Sequence, residues 1–105
     1  MAVIDQGDIW LVEEPDRAPR PCLVLSRASA VPVLAALIVA PLTRTRRDIP
    51  TEVVFGPDDG VAHESVASFD NVVTVHRSHL TRRLAQVGQS RWPEVCEAMR
   101  VAVGC

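Results

Sequence analysis

Two short segments carry the residue types that hold and polarise anions. Arg20 stands before Pro21 at the head of an apolar run, Cys22-Leu23-Val24-Leu25-Ser26. An arginine on stiff backbone projects a planar fork whose parallel N–H groups match two oxygens of one phosphate. The second segment, Ala40-Pro41-Leu42-Thr43-Arg44-Thr45-Arg46-Arg47, closes another apolar run with two hydroxyls, three guanidinium groups and no acid. Cations this close repel one another, so an anion is expected beside them, and donors clustered at a strand end make a phosphate cradle. The same residues also suit an ordinary strand-start arginine and a solvated loop, and spacing alone leaves both readings open.

Other chemistries find little support. His63, His76 and His79 have neither i, i+4 spacing nor a cysteine partner at zinc-finger spacing, so no metal site is predicted. There is no Walker loop, GxGxxG or GxSxG, and no cofactor is predicted. Cys22, Cys96 and Cys105 are odd in number and lack CxxC spacing, which fits a reduced cytoplasmic chain rather than a disulfide framework. Met1 to Asp8 carries two acids, no base and no following apolar region, so no secretory leader is expected. The longest apolar stretch, Ala30 to Leu42, is broken by Pro32 and Pro41. A bilayer-spanning helix needs ~20 residues, so no membrane segment is predicted.

At 105 residues with 48% hydrophobic and 23% charged residues, the chain has the makings of one folded domain over residues 1–105 and is not disordered. A net charge of −2 excludes indiscriminate coating of nucleic acid. All eleven basic residues are arginine, and the charges come in blocks: residues 1–16 carry acids only, 17–47 arginines only and 48–70 acids only. Such segregation builds a local positive field unless the blocks interleave in space.

The elements that must position these residues are mostly strands. Asp8 to Val12, Arg20 to Ser26, Val33 to Leu42 and Glu52 to Phe55 read as strands, the last closed by the turn cluster Gly56-Pro57-Asp58-Asp59-Gly60. Ser65 to Val75 reads as strand with a kink at Asp70-Asn71, and Leu84 to Val87 as one more short strand. Thereafter the period changes. Trp92, Val95, Cys96, Met99 and Ala102 or Val103 recur at helical spacing, with Ser90 as the expected cap, Pro93 in the first turn and Gly104 as the stop. Trp10, Phe55, Phe69, Trp92 and Cys96 read as core. Short strands followed by one amphipathic helix describe a small barrel with a helix packed on it.

In this order of segments the chain resembles the MazF/PemK family of toxin endoribonucleases from bacterial toxin–antitoxin pairs. The resemblance runs through Gly7-Asp8-Ile9-Trp10, Arg20 to Ser26, Val39-Ala40-Pro41-Leu42-Thr43, Arg47 to Val53, Glu64-Ser65-Val66, Asp70-Asn71 and a helix ending in Val103-Gly104. It implies a mainly β fold with a C-terminal helix, an SH3-like barrel of the CcdB/MazF type, acting as a homodimer. It implies metal-independent cleavage of single-stranded RNA, with Arg20 and Thr43 catalytic. Arg44, Arg46, Arg47, Ser26, Ser65 and Asn71 are then expected to hold RNA. It also implies a cognate antitoxin with an acidic, partly disordered tail. Some members carry a glutamate five residues before the arginine as general base. Here that position is Pro15, flanked by Glu14 and Asp16; either neighbour substitutes or no carboxylate base is used, and the base stays unassigned. The same barrel also serves protein-gripping, gyrase-poisoning relatives of the CcdB kind, and an inactive paralogue would keep only antitoxin binding. The Arg20/Thr43 pair with its arginine loop is what a gyrase binder does not need.

Overall fold

The computed structural model describes residues 3–105; Met1 and Ala2, the start of the stretch read for a leader, lie outside it. Among the described residues seven strands precede one α-helix: β1 (Asp8–Val12), β2 (Arg20–Val24), β3 (Ala36–Thr43), β4 (Glu52–Phe55), β5 (Ser65–Ser68), β6 (Val73–His76), β7 (Leu80–Gln86) and α1 (Trp92–Val103). All pairings are antiparallel, in the order β4-β5-β3-β2-β1-β7, with β6 also on β3.

The long strand β3 organises the sheet. One of its edges pairs with β2, through Cys22↔Pro41, Leu23↔Ala40 and Val24↔Val39. The other edge is shared, its first half pairing with β6 and its end, Leu42 and Thr43, with Ala67 and Val66 of β5. Alternation along the strands builds two cores. Ile9, Leu23, Ala40, Leu42, Phe55 and Phe69 pack under α1 with Val95 and Ala98. Trp10, Val12, Cys22, Val24, Leu37 and Val39 pack on the opposite face with Val75 and Leu80. The turn after β4 reaches across to β7: Gly60 has φ +89°, and a Cβ there would stand 3.3 Å from the Ala85 methyl. Glycine is therefore required twice over, for backbone sign and for clearance.

Four details depart from the sequence-based expectations. The third strand begins at Ala36 rather than Val33, because residues 28–34 coil into turns whose Val31 and Leu34 carbonyls accept from the Arg77 guanidinium at 2.6 and 2.9 Å. β7 begins at Leu80 rather than Leu84. As an edge strand it exposes Arg82 and Arg83, so it lacks the apolar alternation that marks half-buried strands. Ser90 does not cap the helix. A 3₁₀ turn, Gln89–Arg91, leads into Trp92, with Pro93 in the first helical turn and Gly104 (φ +75°) ending it. Finally, Cys96 is exposed; the buried stripe is Val95 and Ala98, flanked by Trp92, Met99 and Ala102, and Cys96 lies one helical step beyond it. Trp10, Phe55 and Phe69 are buried and Trp92 packs against the core, as expected of them.

Candidate active site

The β2–β3 ladder stops at Cys22↔Pro41 because Pro21 has no N–H to continue it. Carried on by two residues, the same register sets Arg20 opposite Thr43. Both then share the sheet face that carries Cys22 and Pro41.

Arg20 is only partly engaged. Its Nη2 donates to Glu14 Oε1 at 3.2 Å, and the same carboxylate oxygen stands 3.8 Å from Arg17 Nη1. The Arg20 Nε is buried without an acceptor. A buried unpartnered donor is costly in a folded protein, typically ~1–3 kcal/mol, and such groups persist where a ligand completes them. Between them, the Arg20 and Glu14 charges also reach Cys22. Burial pushes that thiol up to about 11, with Arg20 pulling it down and Glu14 adding to the rise. Asp16, the other candidate base, sits at φ +65° on the exposed β1–β2 connection.

Thr43 is exposed at the end of β3, and its Oγ1 accepts the Thr45 N–H at 3.2 Å, which leaves its own O–H free to donate. Beside it opens a cavity of about 350 Å³ lined by Pro21, Leu42, Thr43, Arg44, His63 and Ser65, among others. Arg20 itself is not on that lining; its chain neighbour Pro21 is. Ser65 is nearly buried and donates to the His63 carbonyl at 3.2 Å.

The arginine loop is less uniform than its sequence. Arg46 is paired with Asp48 and with Glu64, the latter at 3.4 Å, so the charge blocks do interleave here. The Arg47 backbone N–H donates to Glu52 Oε1 at 3.0 Å. Among the described residues, the guanidinium groups of Arg44 and Arg47 meet no carboxylate within 4.0 Å.

Two expected RNA contacts lie elsewhere. Ser26 is buried beyond the far end of β2, its Oγ accepting the Ile38 N–H at 2.9 Å, so its hydroxyl serves the sheet. Asn71 sits in the turn after β5 and donates to Ser68 Oγ at 3.1 Å, off the cavity beside Thr43. Sequence reasoning weighed His63 only as a metal ligand. Its position between the Gly60 turn and the strand that pairs with Thr43 was the available signal that it borders the site. Among the described residues no three His, Cys, Asp or Glu side chains are grouped to hold a metal ion. No helix there is long and apolar enough to cross a membrane.

Residues 5–103 match the family model described as the PemK-like, MazF-like toxin of type II toxin–antitoxin systems. The chain is 37% identical over 101 residues to a probable endoribonuclease, MazF5, of Mycobacterium tuberculosis, covering 95% of this chain and 93% of that protein. Its fold is similar to that of the M. tuberculosis toxin MazF-mt6, with TM-score 0.85 and 32% identity over 92% of this chain and 96% of the other. It is also similar to MazF in a MazE–MazF crystal structure from Deinococcus radiodurans, with TM-score 0.79 and 27% identity over 99% and 98% of the two chains. The barrel is thus of the CcdB/MazF type. With the match spanning nearly its whole length, this chain belongs to the PemK/MazF family of toxins from type II toxin–antitoxin systems.

Proposed function

We propose that the protein is a toxin endoribonuclease that cuts single-stranded RNA at short sequences without a metal ion, by attack of a 2′-hydroxyl on the adjacent phosphorus. Negative charge then grows on the non-bridging phosphoryl oxygens, and donors already aimed there lower the barrier. Arg20 supplies a charged fork and Thr43 a hydroxyl donor. Glu14, 3.2 Å from Arg20, orients that fork and is the carboxylate suited to take the 2′-hydroxyl proton, in preference to Asp16. Arg44 and Arg47 hold flanking phosphates, with Ser65 shaping the wall beside Thr43. The products are a 2′,3′-cyclic phosphate and a 5′-hydroxyl.

What supports this reading is the β2–β3 register, which extended two residues beyond Cys22↔Pro41 points Arg20 toward Thr43, together with an Arg20 Nε that has no acceptor. A toxin that only grips a protein needs no such open donor. The acidic tail of a cognate antitoxin competes for the same arginines, and the active form is a homodimer. Work on RNA beside that antitoxin puts the protein in the cytoplasm.

The test is digestion of a mixed RNA pool in EDTA, followed by chemistry and sequencing of the ends. Cyclic phosphate and 5′-hydroxyl ends are expected, lost in Arg20→Ala and Thr43→Ala. Ends bearing 5′-phosphate, or cutting that persists unchanged in both variants, would refute the mechanism.

A further inference from the structure

Cleavage by 2′-oxygen attack moves two protons. One leaves the 2′-hydroxyl, and another must reach the 5′-oxygen as its bond to phosphorus breaks. Glu14 accounts for the first. Nothing assigned so far gives the second, because a guanidinium keeps its protons at neutral pH. The residues lining the cavity beside Thr43 include two ionisable ones, Arg44 and His63. Imidazole is the side chain suited to exchange a proton near neutrality.

The segment that carries His63 is fastened on both sides. On one side, Asp59 Oδ2 accepts the Gly56 N–H at 3.0 Å, and Arg91 Nη1 grips the Asp59 carboxylate at 2.8 Å. Gly60 then packs against Ala85. On the other side, Ser65 Oγ holds the His63 carbonyl, and β5 immediately pairs with Thr43 through Val66. Exposed His63 is therefore carried on a braced wall of the cavity that Thr43 also lines. Around it, Arg44 comes from the end of β3, and the neighbouring Glu64 is turned to Arg46. The residues that β2 and β7 bring to the lining, Pro21 and Leu84, are uncharged. No carboxylate on the lining competes for the imidazole proton.

We infer that His63 is the general acid of the cleavage step, an inference that rests on the RNA-cleavage reading. The bond between the 2′-oxygen and phosphorus forms, and the bond from phosphorus to the 5′-oxygen breaks. The 2′-hydroxyl proton passes to the Glu14 carboxylate, and the imidazolium of His63 gives its proton to the departing 5′-oxygen. Exchange with water restores both residues.

A leaving group that needs no proton isolates this role. The probe is a DNA oligonucleotide with one ribonucleotide at the cut position, identified from sequenced ends of RNA cleaved by the protein. It is made with either oxygen or sulfur bridging to the 5′-carbon. A thiol ionises near 8.5, far below an alcohol, so a thiolate departs unaided. His63→Ala and His63→Gln are expected to slow cleavage of the oxygen-bridged probe on the order of 10²-fold. Both are expected to cut the sulfur-bridged probe at close to the unsubstituted rate. Equal slowing on both probes, or none on the oxygen probe, overturns the assignment while leaving RNA cleavage standing. Failure of the unsubstituted protein to cut either probe overturns both.

Discussion

Arg20 and Arg91 are both half-sheltered arginines, and the difference between them separates function from construction. Every nitrogen of Arg91 is in use. Nη1 donates to both oxygens of Asp59 at 2.8 and 2.9 Å, Nη2 to the Val54 carbonyl at 2.7 Å and Nε to Glu94 at 2.8 Å. Its plane also lies over the Phe55 ring, 4.9 Å from the centroid. That guanidinium ties β4, the turn after it and α1 into one unit, with nothing left to offer a substrate. Arg20 has one hydrogen bond, to Glu14, and a buried Nε with no acceptor. A planar fork of five donors is worth most to a folded protein when filled. The empty one is where the proposed mechanism sets a phosphate.

The largest expected effect tests that contrast directly. Arg20→Ala should lower the cleavage rate by roughly 10³-fold and Thr43→Ala by roughly 10²-fold, measured on a single oligonucleotide under single-turnover conditions. Neither should move the thermal midpoint much, since the Arg20–Glu14 pair is partly exposed and such pairs contribute ~1 kcal/mol or less. Arg91→Ala should do the reverse. Loss of its charged hydrogen bonds is expected to remove about 2 kcal/mol of stability, a fall of roughly 10 °C in Tm, with single-turnover cleavage well below the midpoint falling far less than in Arg20→Ala. Equal losses of rate in Arg20→Ala and Arg91→Ala, both fully folded, would erase the distinction.

These two arginines also show where sequence reading stops. Arg20 and Thr43 stood out at strand ends near Pro21 and Pro41, but spacing left them open and the family resemblance singled them out. Short β-rich runs bounded by turn residues, such as Asp8 to Val12 and Glu52 to Phe55, were legible from composition and punctuation. Arg91 was not, because its partners Asp59 and Val54 lie 32 and 37 residues away and no local period announces them. His63 escaped similarly: its neighbour in the cavity, Thr43, belongs to another strand. The β7 edge escaped because exposed arginines on both sides of a strand erase period two. Long-range pairing, rather than composition, decided all three.

Cys22 reports on the Arg20 side of the comparison through pH. Folded, its thiol holds its proton up to about 11 against an ordinary value of 9.0. Between those values the unfolded chain has released the proton while the folded chain keeps it, so stability is full below pH 9 and falls as pH rises toward 11. The loss is on the order of 2 kcal/mol. The window is unusually clean, because the chain has no tyrosine and no lysine to titrate there. Urea unfolding at pH 8 and pH 11 should show the fall, and Cys22→Val should remove it. A fall of the same size in Cys22→Val would assign it elsewhere. At pH 8, an alkylating reagent should label exposed Cys96 and Cys105 in the native protein and Cys22 only after unfolding.

The smallest effect extends the contrast between filled and open arginines to the loop after β3. Arg44, Arg46 and Arg47 are alike in sequence, yet Arg46 already holds Asp48 and Glu64 while the other two guanidinium groups are open. An arginine that gives up a carboxylate to take a phosphate exchanges one anion for another and adds little to the net release of counterions from single-stranded RNA. Each open arginine that meets a phosphate contributes a log–log salt slope of about −0.7. The two open loop arginines should contribute about −1.4 to the slope with which salt weakens binding of a non-cleavable oligonucleotide. Arg44→Ala should flatten that slope by about 0.7 and Arg46→Ala should leave it nearly unchanged. If Arg46→Ala flattened it as much as Arg44→Ala, the Asp48 and Glu64 pairings would be ones that RNA displaces at no cost. Occupancy in the free protein would then cease to distinguish structural arginines from binding ones.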